Sequence, residues 1–517
     1  MGLFFLRRHA IGTSSPPPFS PFQRAKRAYV KTRISQPNAA YGGAEAFSIT
    51  VSSEGGKHKV KQKKPNLLFV FPDQWRKQAV GLFQEDPVLT PNIDRFAADS
   101  VTLTHAISCF PLCSPNRSCM LTGCYPLTTG VTTNCKTGLS VKLNDDAVTI
   151  GNVLKEEGYS TGYIGKWHLD LPELNTDSAP QSGARNWDAY IPPGPRRFGF
   201  DFWHAYNAND RHMSPHYWEN TPDKIAPAVW STEHETDVAI DYIRSRDRDR
   251  PFALFVSWNP PHQPFEQVPD RYKEMYKDAD ITYRPNVTGD GVAACDKHLR
   301  SYFAAVTGTD DQFGRLLRFL EEEGLGDDTL VVLTSDHGEL MGAHGYNDHK
   351  NIWYEEAIAV PFFLRWPGQV AARQEDMLFN SVDIVPTLLG LMDIAQPDTI
   401  QGTDYSAIFQ GLDGQRPTSA FICQYPGSIR EHEEAERLGV PIAAFGYRGI
   451  RTLRYTYVVR RSFGAPTAER WLYDNIADPY QLAPEQFADS PASGEAARLE
   501  QELAGWLSRI GDPFILK

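Results

Sequence analysis

From residue 65 onward, short apolar runs alternate with longer amphipathic stretches. "NLLFVF" (66–71), "FALFVSW" (252–258) and the front of "TLVVLTSDHGE" (329–339) are continuous hydrophobic runs. That pattern belongs to strands buried on both faces, as in a parallel sheet. "STGYIGKWHLD" (160–170) predicts a strand running into a loop. Between these, "TPNIDRFAADSV" (90–101) predicts a helix capped by Thr90 ahead of Pro91. "TIGNVLKEEGY" (149–159) predicts a second, stopped by Gly158. Residues 296–324 place Tyr302, Phe303, Val306, Phe313, Leu316, Leu317 and Leu320 at helical spacing, ending at Gly324.

Strands that alternate with helices predict an α/β fold, a mostly parallel mixed sheet sandwiched by helices. Sites in such sheets form outside the carboxyl ends of the strands. Asp73, Lys166, His168, His262, Asp336 and His337 each follow an apolar run, so they are expected on one edge. After residue 418 the texture changes: "GYRGIRTLRYTYVVRR" (446–461) predicts a hairpin, and a helix is expected near 494–510. The expected division is a disordered basic tail (1–64), a site-bearing α/β domain (65–418) and a smaller C-terminal α+β subdomain (419–517).

Composition adds limits. A chain of 517 residues, 41% of them hydrophobic, can bury a large core. No run approaches the roughly eighteen apolar residues of a membrane helix. Net charge is −12, unevenly placed: residues 1–64 hold twelve Lys/Arg against two acids, which leaves the remainder at −22. An acidic body argues against nucleic acid as a partner. An anionic substrate would need local positive charge or a metal. The opening "MGLFFLRRHA" has four apolar residues in a row and then basic ones, which does not read as a clear secretory signal. The segment reads as a transit-type leader or an over-long start, and location stays open between cytoplasmic and exported.

Asp73-Gln74 and Asp336-His337 supply oxygen and imidazole donors suited to a hard divalent cation. Taken singly, each pair reads more plainly as a cap or turn; the shared strand-end placement favours the metal. Lys166, His168, His262 and Lys350 can neutralise an anion and move protons, with His344 and His349 in the same weighing. Taken alone, each histidine reads as a satisfied core or loop residue. The seven cysteines include Cys109, Cys113, Cys119, Cys124 and Cys135, at gaps of four, six, five and eleven. No zinc pattern has that spacing. A thiol nucleophile needs a base but no metal, and it leaves Pro115 and Arg117 unexplained.

"CSPNRSCMLTG" (113–123) resembles the hallmark of the type I sulfatases, of the alkaline phosphatase superfamily. "PNLLFVFPDQW", "TPNIDRFA", "GYIGKWHL", "TLVVLTSDHGELMGAHG", "KNIWYEEAIAVPFFLRWPG" and "LYDNIADP" resemble further landmarks, in family order over about residues 65–510. The resemblance implies that Cys113 is oxidised to Cα-formylglycine by a formylglycine-generating enzyme, and that its hydrate is the nucleophile. It implies Asp73, Gln74, Cys113, Asp336 and His337 around one cation. Ca²⁺ is expected first, with Mg²⁺ or Mn²⁺ credible because Gln74 and His337 stand where many relatives carry an acid and Asn. It further implies that Lys166, His168, His262 and Lys350 bind sulfate or move protons, with Arg117 supporting the hydrate. The expected activity is sulfate release from a sulfated small molecule or oligosaccharide, with phosphonate monoester or phosphodiester hydrolysis as the alternative. Residues 186–220, rich in aromatic and polar side chains, are expected to line the rim, with Asn134 and Lys136 as further candidates.

Overall fold

A computed structural model describes residues 64–346, 349–487 and 494–516. The expected tail lies outside the described residues, apart from Lys64, which pairs with Glu157 at 2.5 Å.

The apolar runs form the middle of a nine-stranded sheet. Its strands are β1 (Asn66–Val70), β2 (Val101–Ile107), β3 (Ser160–Lys166), β4 (Phe202–Tyr206), β5 (Phe252–Ser257), β6 (Thr329–Leu333), β7 (Ala359–Val360), β8 (Phe363–Arg365) and β9 (Arg373–Asn380). The order is β4-β3-β5-β1-β6-β8-β2-β7, with β9 also on β2. From β4 to β6 all pairings are parallel, whereas β8 runs antiparallel to both β6 and β2. The sheet is therefore mixed and mostly parallel, as expected.

Successive residues of a strand point to opposite faces. Leu67 and Phe69 enter one core layer with Tyr163, Trp167, Trp203 and Phe255. Leu68 and Val70 enter the other, under the helices. The helices used below are α1 (Pro91–Ala98), α2 (Cys113–Thr122), α3 (Ser231–Ser245) and α4 (Gly291–Glu322). The long α4 buries Tyr302, Phe303, Phe313, Leu316 and Leu320 in that second layer.

The cap assigned to Thr90 is a correction. Helix α1 begins at Pro91, but the Thr90 hydroxyl caps nothing. It donates to Asp94 and accepts from Gly81 N. The amides of Asn92 and Ile93 donate instead to the Asp310 carboxylate, at 3.1 and 2.7 Å. Asp310 belongs to α4, so the cap is a tertiary contact with no local signal.

The segment 186–220 also divides. Its centre is β4, paired in parallel with β3, and Trp203, Tyr217 and Trp218 are core residues. Trp187 stays 40% exposed.

A five-stranded antiparallel sheet follows: β10 (Ala420–Gln424), β11 (Gly446–Arg451), β12 (Tyr455–Arg461), β13 (Glu469–Asp474) and β14 (Glu485–Phe487). The predicted hairpin is β11–β12. Helices α5 (Ile429–Leu438) and α6 (Gly494–Ile510) accompany it. Leu499, Leu503 and Leu507 of α6 pack with Phe421 and Tyr457, and the same cluster holds Cys109 and Cys119. Helix α2 is thus clasped between the two sheets. Among the described residues no helix is long and apolar enough to cross a membrane.

Candidate active site

Strands β1 and β6 pair in register, Val70 beside Leu333. Asp73 and Asp336 each lie three residues beyond those partners, so both carboxylates reach the same level at the sheet edge. Helix α2 starts at Cys113 and brings its thiol to the same point, with every residue of the helix buried. Lys166 ends β3 directly after Gly165, whose φ is +97° and whose hydrogen faces Ser257 O; a Cβ there would lie 2.1 Å from that oxygen. Only glycine allows this approach. Gln74 and His168 both hold left-handed backbones, at φ 67° and 55°. Such conformations cost energy in non-glycine residues and tend to cluster at functional sites.

Ligand-type atoms of Asp73, Cys113, Asp336 and His337 all lie within 4.8 Å of one another, and all four residues are buried. Arg117 organises the carboxylates. Its Nη2 donates to Asp73 Oδ2 and its Nε to Asp336 Oδ2, both at 2.9 Å. Its Nη1 donates to Lys166 O and Ser257 Oγ at 2.8 and 2.6 Å. Lys166 Nζ lies 2.8 Å from Asp73 Oδ2 and 3.9 Å from Cys113 Sγ. Lys350 Nζ donates to Gln74 Oε1 at 2.6 Å and approaches Cys113 Sγ at 3.3 Å. His337 Nδ1 donates to Gly338 O at 2.9 Å, which turns Nε2 toward Cys113 Sγ, 3.3 Å away.

Charge at this point is tightly coupled. Burial would lift Asp73, but Lys166, His262 and Arg117 hold it well below the usual carboxylate range. Burial and the Asp73 charge push Asp336 up to about 6. Burial opposes the imidazolium of His337, yet Asp336 raises it to about 10. Burial and Asp73 oppose the Cys113 thiolate, and Lys166, Lys350 and His337 still pull the thiol well below its ordinary value.

Eight of the residues singled out in the sequence are thus joined directly: Asp73, Gln74, Cys113, Arg117, Lys166, Asp336, His337 and Lys350. His168 lies against Cys113. It is buried, and among the described residues its ring nitrogens have no hydrogen-bond partner apart from the Cys113 thiol it lies against. His262 is linked less directly. Its Nδ1 donates to Gln263 O at 2.6 Å and lies 3.5 Å from Asp210 Oδ1. Asp210 joins Lys166 through Asn259, whose Oδ1 accepts from Nζ at 3.1 Å and whose Nδ2 reaches Asp210 at 3.4 Å. His344 stands apart, stacked on Tyr354. His349 lies 3.1 Å from Glu339 Oε1. Asn134 is a support, since its Oδ1 accepts from Ser114 N at 3.0 Å.

Sequence reasoning missed Ser257, Asn259 and Glu339, and covered Asp210 only as part of the rim stretch 186–220. Glu339 is fully buried and accepts from Gln74 Nε2 and from Met341 N. It follows "SDHG" directly, which was its available signal. Asn116 also braces this edge, since its Nδ2 donates to Asp336 O. All seven cysteines are free and buried.

Residues 65–394 match the family model Sulfatase, and residues 342–506 match N-sulphoglucosamine sulphohydrolase, C-terminal. An endo-4-O-sulfatase of Bacteroides thetaiotaomicron is 36% identical over 92% of this chain and 97% of its own length. An ulvan-active sulfatase of Formosa agariphila is 34% identical over 87% of this chain and 82% of its own. A solved chain from work on glycosaminoglycan metabolism by Bacteroides thetaiotaomicron superposes with a TM-score of 0.78 at 35% identity, covering 87% of this chain and 97% of that one. A phosphonate monoester hydrolase of Agrobacterium radiobacter superposes at 0.67 with 21% identity, which is likeness of fold alone. With the matched model spanning most of the larger sheet and its site, the chain belongs to the sulfatase family, enzymes that hydrolyse sulfate esters.

Proposed function

We propose that this sulfatase releases inorganic sulfate from a sulfated carbohydrate, with Cys113 matured to Cα-formylglycine and one divalent cation, Ca²⁺ ahead of Mg²⁺ or Mn²⁺. The observation that carries the reading is the convergence of the Cys113 thiol, two carboxylates, His337 and two lysines on one buried point. The endo-4-O-sulfatase and the ulvan-active sulfatase support a saccharide substrate.

The donor set fits a hard cation. Asp73 and Asp336 offer carboxylate oxygens and Gln74 an amide oxygen. His337 would offer Nε2 once a cation takes the place of its proton, with Nδ1 kept on Gly338 O. When bound, the cation would neutralise sulfate charge and acidify a neighbouring hydroxyl. The formylglycine hydrate would supply the attacking oxygen. Lys166 and Lys350, both facing position 113, would hold sulfate oxygens and offset the charge that grows on them. His168, whose ring nitrogens have no other partner, would take a proton from the group at 113. His262 or Lys350 would give a proton to the departing alcohol. Arg117 would keep both carboxylates in place through these steps.

The test begins with the mass of the tryptic peptide Phe96–Arg117 after co-expression with a formylglycine-generating enzyme. Conversion of Cys113, followed by sulfate release from sulfated oligosaccharides, is the expected result. An unconverted Cys113, with a generic sulfatase converted in parallel, would remove the proposed nucleophile.

A further inference from the structure

Lys136 is carried to the mouth of the site by a loop fixed on both sides. Cys135 N donates to Ser114 Oγ at 3.1 Å, and Ser114 N donates to Asn134 Oδ1, so the loop is tied to the residue after Cys113. Thr137 Oγ1 donates to Asn186 O at 2.6 Å, which ties it to the residue before Trp187. On the far side Thr133 abuts Gly427, and Gly138 abuts Ile429 at the start of α5. Three separate segments thus meet around one lysine.

That lysine is half-buried, with its ammonium 6.0 Å from the Trp187 ring. Among the described residues no carboxylate stands within ion-pair distance of it. Glu431 is the acid whose field reaches it. The Glu431 carboxylate is held through Oε2, which accepts from Gly427 N, Ser428 N and Ser428 Oγ. Burial pulls the Lys136 ammonium below its ordinary pKa, as it does for a cation short of a counter-charge. Trp187, 40% exposed, lies near-parallel to the His168 ring at 6.2 Å. The indole therefore spans from the histidine beside Cys113 to Lys136. Packing on the indole would explain the methylene stem of Lys136. It would not explain a charge without an ion-pair partner beside an open aromatic face.

We infer that Lys136 and Trp187 form a recognition site for a second anionic group of the glycan, outside the ester that is cut. The indole takes a sugar face, and the ammonium takes a carboxylate or a further sulfate. This inference rests on the sulfated-carbohydrate reading above and narrows it to polyanionic saccharides.

The test is calorimetric titration of the full chain with Cys113 unconverted, so that nothing turns over. The probes are a sulfated hexosamine–uronate tetrasaccharide, its carboxyl-reduced form, and the carboxyl-reduced form bearing a second sulfate. The wild-type chain is expected to bind the first about tenfold more tightly than the second, a factor worth about 1.4 kcal/mol. K136M erases that preference, and K136R retains most of it. The third probe sides with the first if a sulfate serves as well as a carboxylate, and with the second if only the carboxylate does. Equal binding of the first two probes by the wild-type chain, or an undiminished preference in K136M, overturns the inference. Aryl sulfate turnover by the matured wild-type enzyme is measured in parallel. Its absence counts against the hydrolase reading and leaves the binding comparison to stand or fall separately.

Discussion

Arg117 Nη2 and Asp73 Oδ2 lie 2.9 Å apart, and neither side chain touches solvent. The same guanidinium reaches Asp336, so one cation spaces two acids that would otherwise repel. Removing one partner of a buried pair costs about 3–5 kcal/mol. R117M is therefore expected to melt well below wild type and to release no sulfate. R117K should recover only part of the stability, because a single ammonium cannot reproduce the planar fork. Thermal melts of the two variants check this; a lysine variant equal to wild type would contradict it.

Among the described residues His168 is buried with no partner at its ring nitrogens except the Cys113 thiol. H168A should lower kcat by about 10²–10⁴-fold, the usual contribution of a positioned acid or base, with KM little changed. An effect confined to KM would mean that the imidazole only binds.

Chelation should abolish sulfate release, and a divalent cation should restore it. A cation that binds only the folded chain adds about 2.7 kcal/mol of stability at one hundred times its Kd. Melting temperature should therefore rise with added Ca²⁺, and D73N should lose that rise. A larger response to Mg²⁺ or Mn²⁺ would reassign the ion.

Asp383 offers a pH test away from the site. Burial pushes its carboxyl up to about 7, although Thr403 N and Asn380 N donate to it. The folded state then holds a proton that the unfolded state, titrating near 3.9, has released. This contribution to stability is complete below about pH 4 and is lost as pH rises toward 7, by up to about 1.4 kcal/mol per pH unit. Melting curves of wild type and D383N from pH 4.5 to 8 should converge or cross. Parallel curves would show that Asp383 is ionised throughout.

The central strands were legible because burial on both faces leaves a continuous apolar run, as at Leu67–Val70. The site edge was legible for the same reason, since Asp73 and Asp336 each interrupt such a run. What stayed hidden depends on partners far along the chain. Asp310 caps a helix 218 residues earlier. Glu339 takes its meaning from Gln74, 265 residues away. Strand β4 was concealed inside an aromatic stretch whose core residues and exposed Trp187 look alike in sequence.

The burial of Cys113 sets an order of events. Its relative exposure is 1%, and it starts a helix clasped between two sheets. The strand that brings Asp336 to it, β6, begins more than 200 residues later. Pairings of such long span are slow to form, because the intervening chain must be closed first. Under the maturation proposed above, a large catalyst acting on this sulfur would have the interval between synthesis of residue 113 and closure of β6 onto β1, after which the native fold shields the thiol.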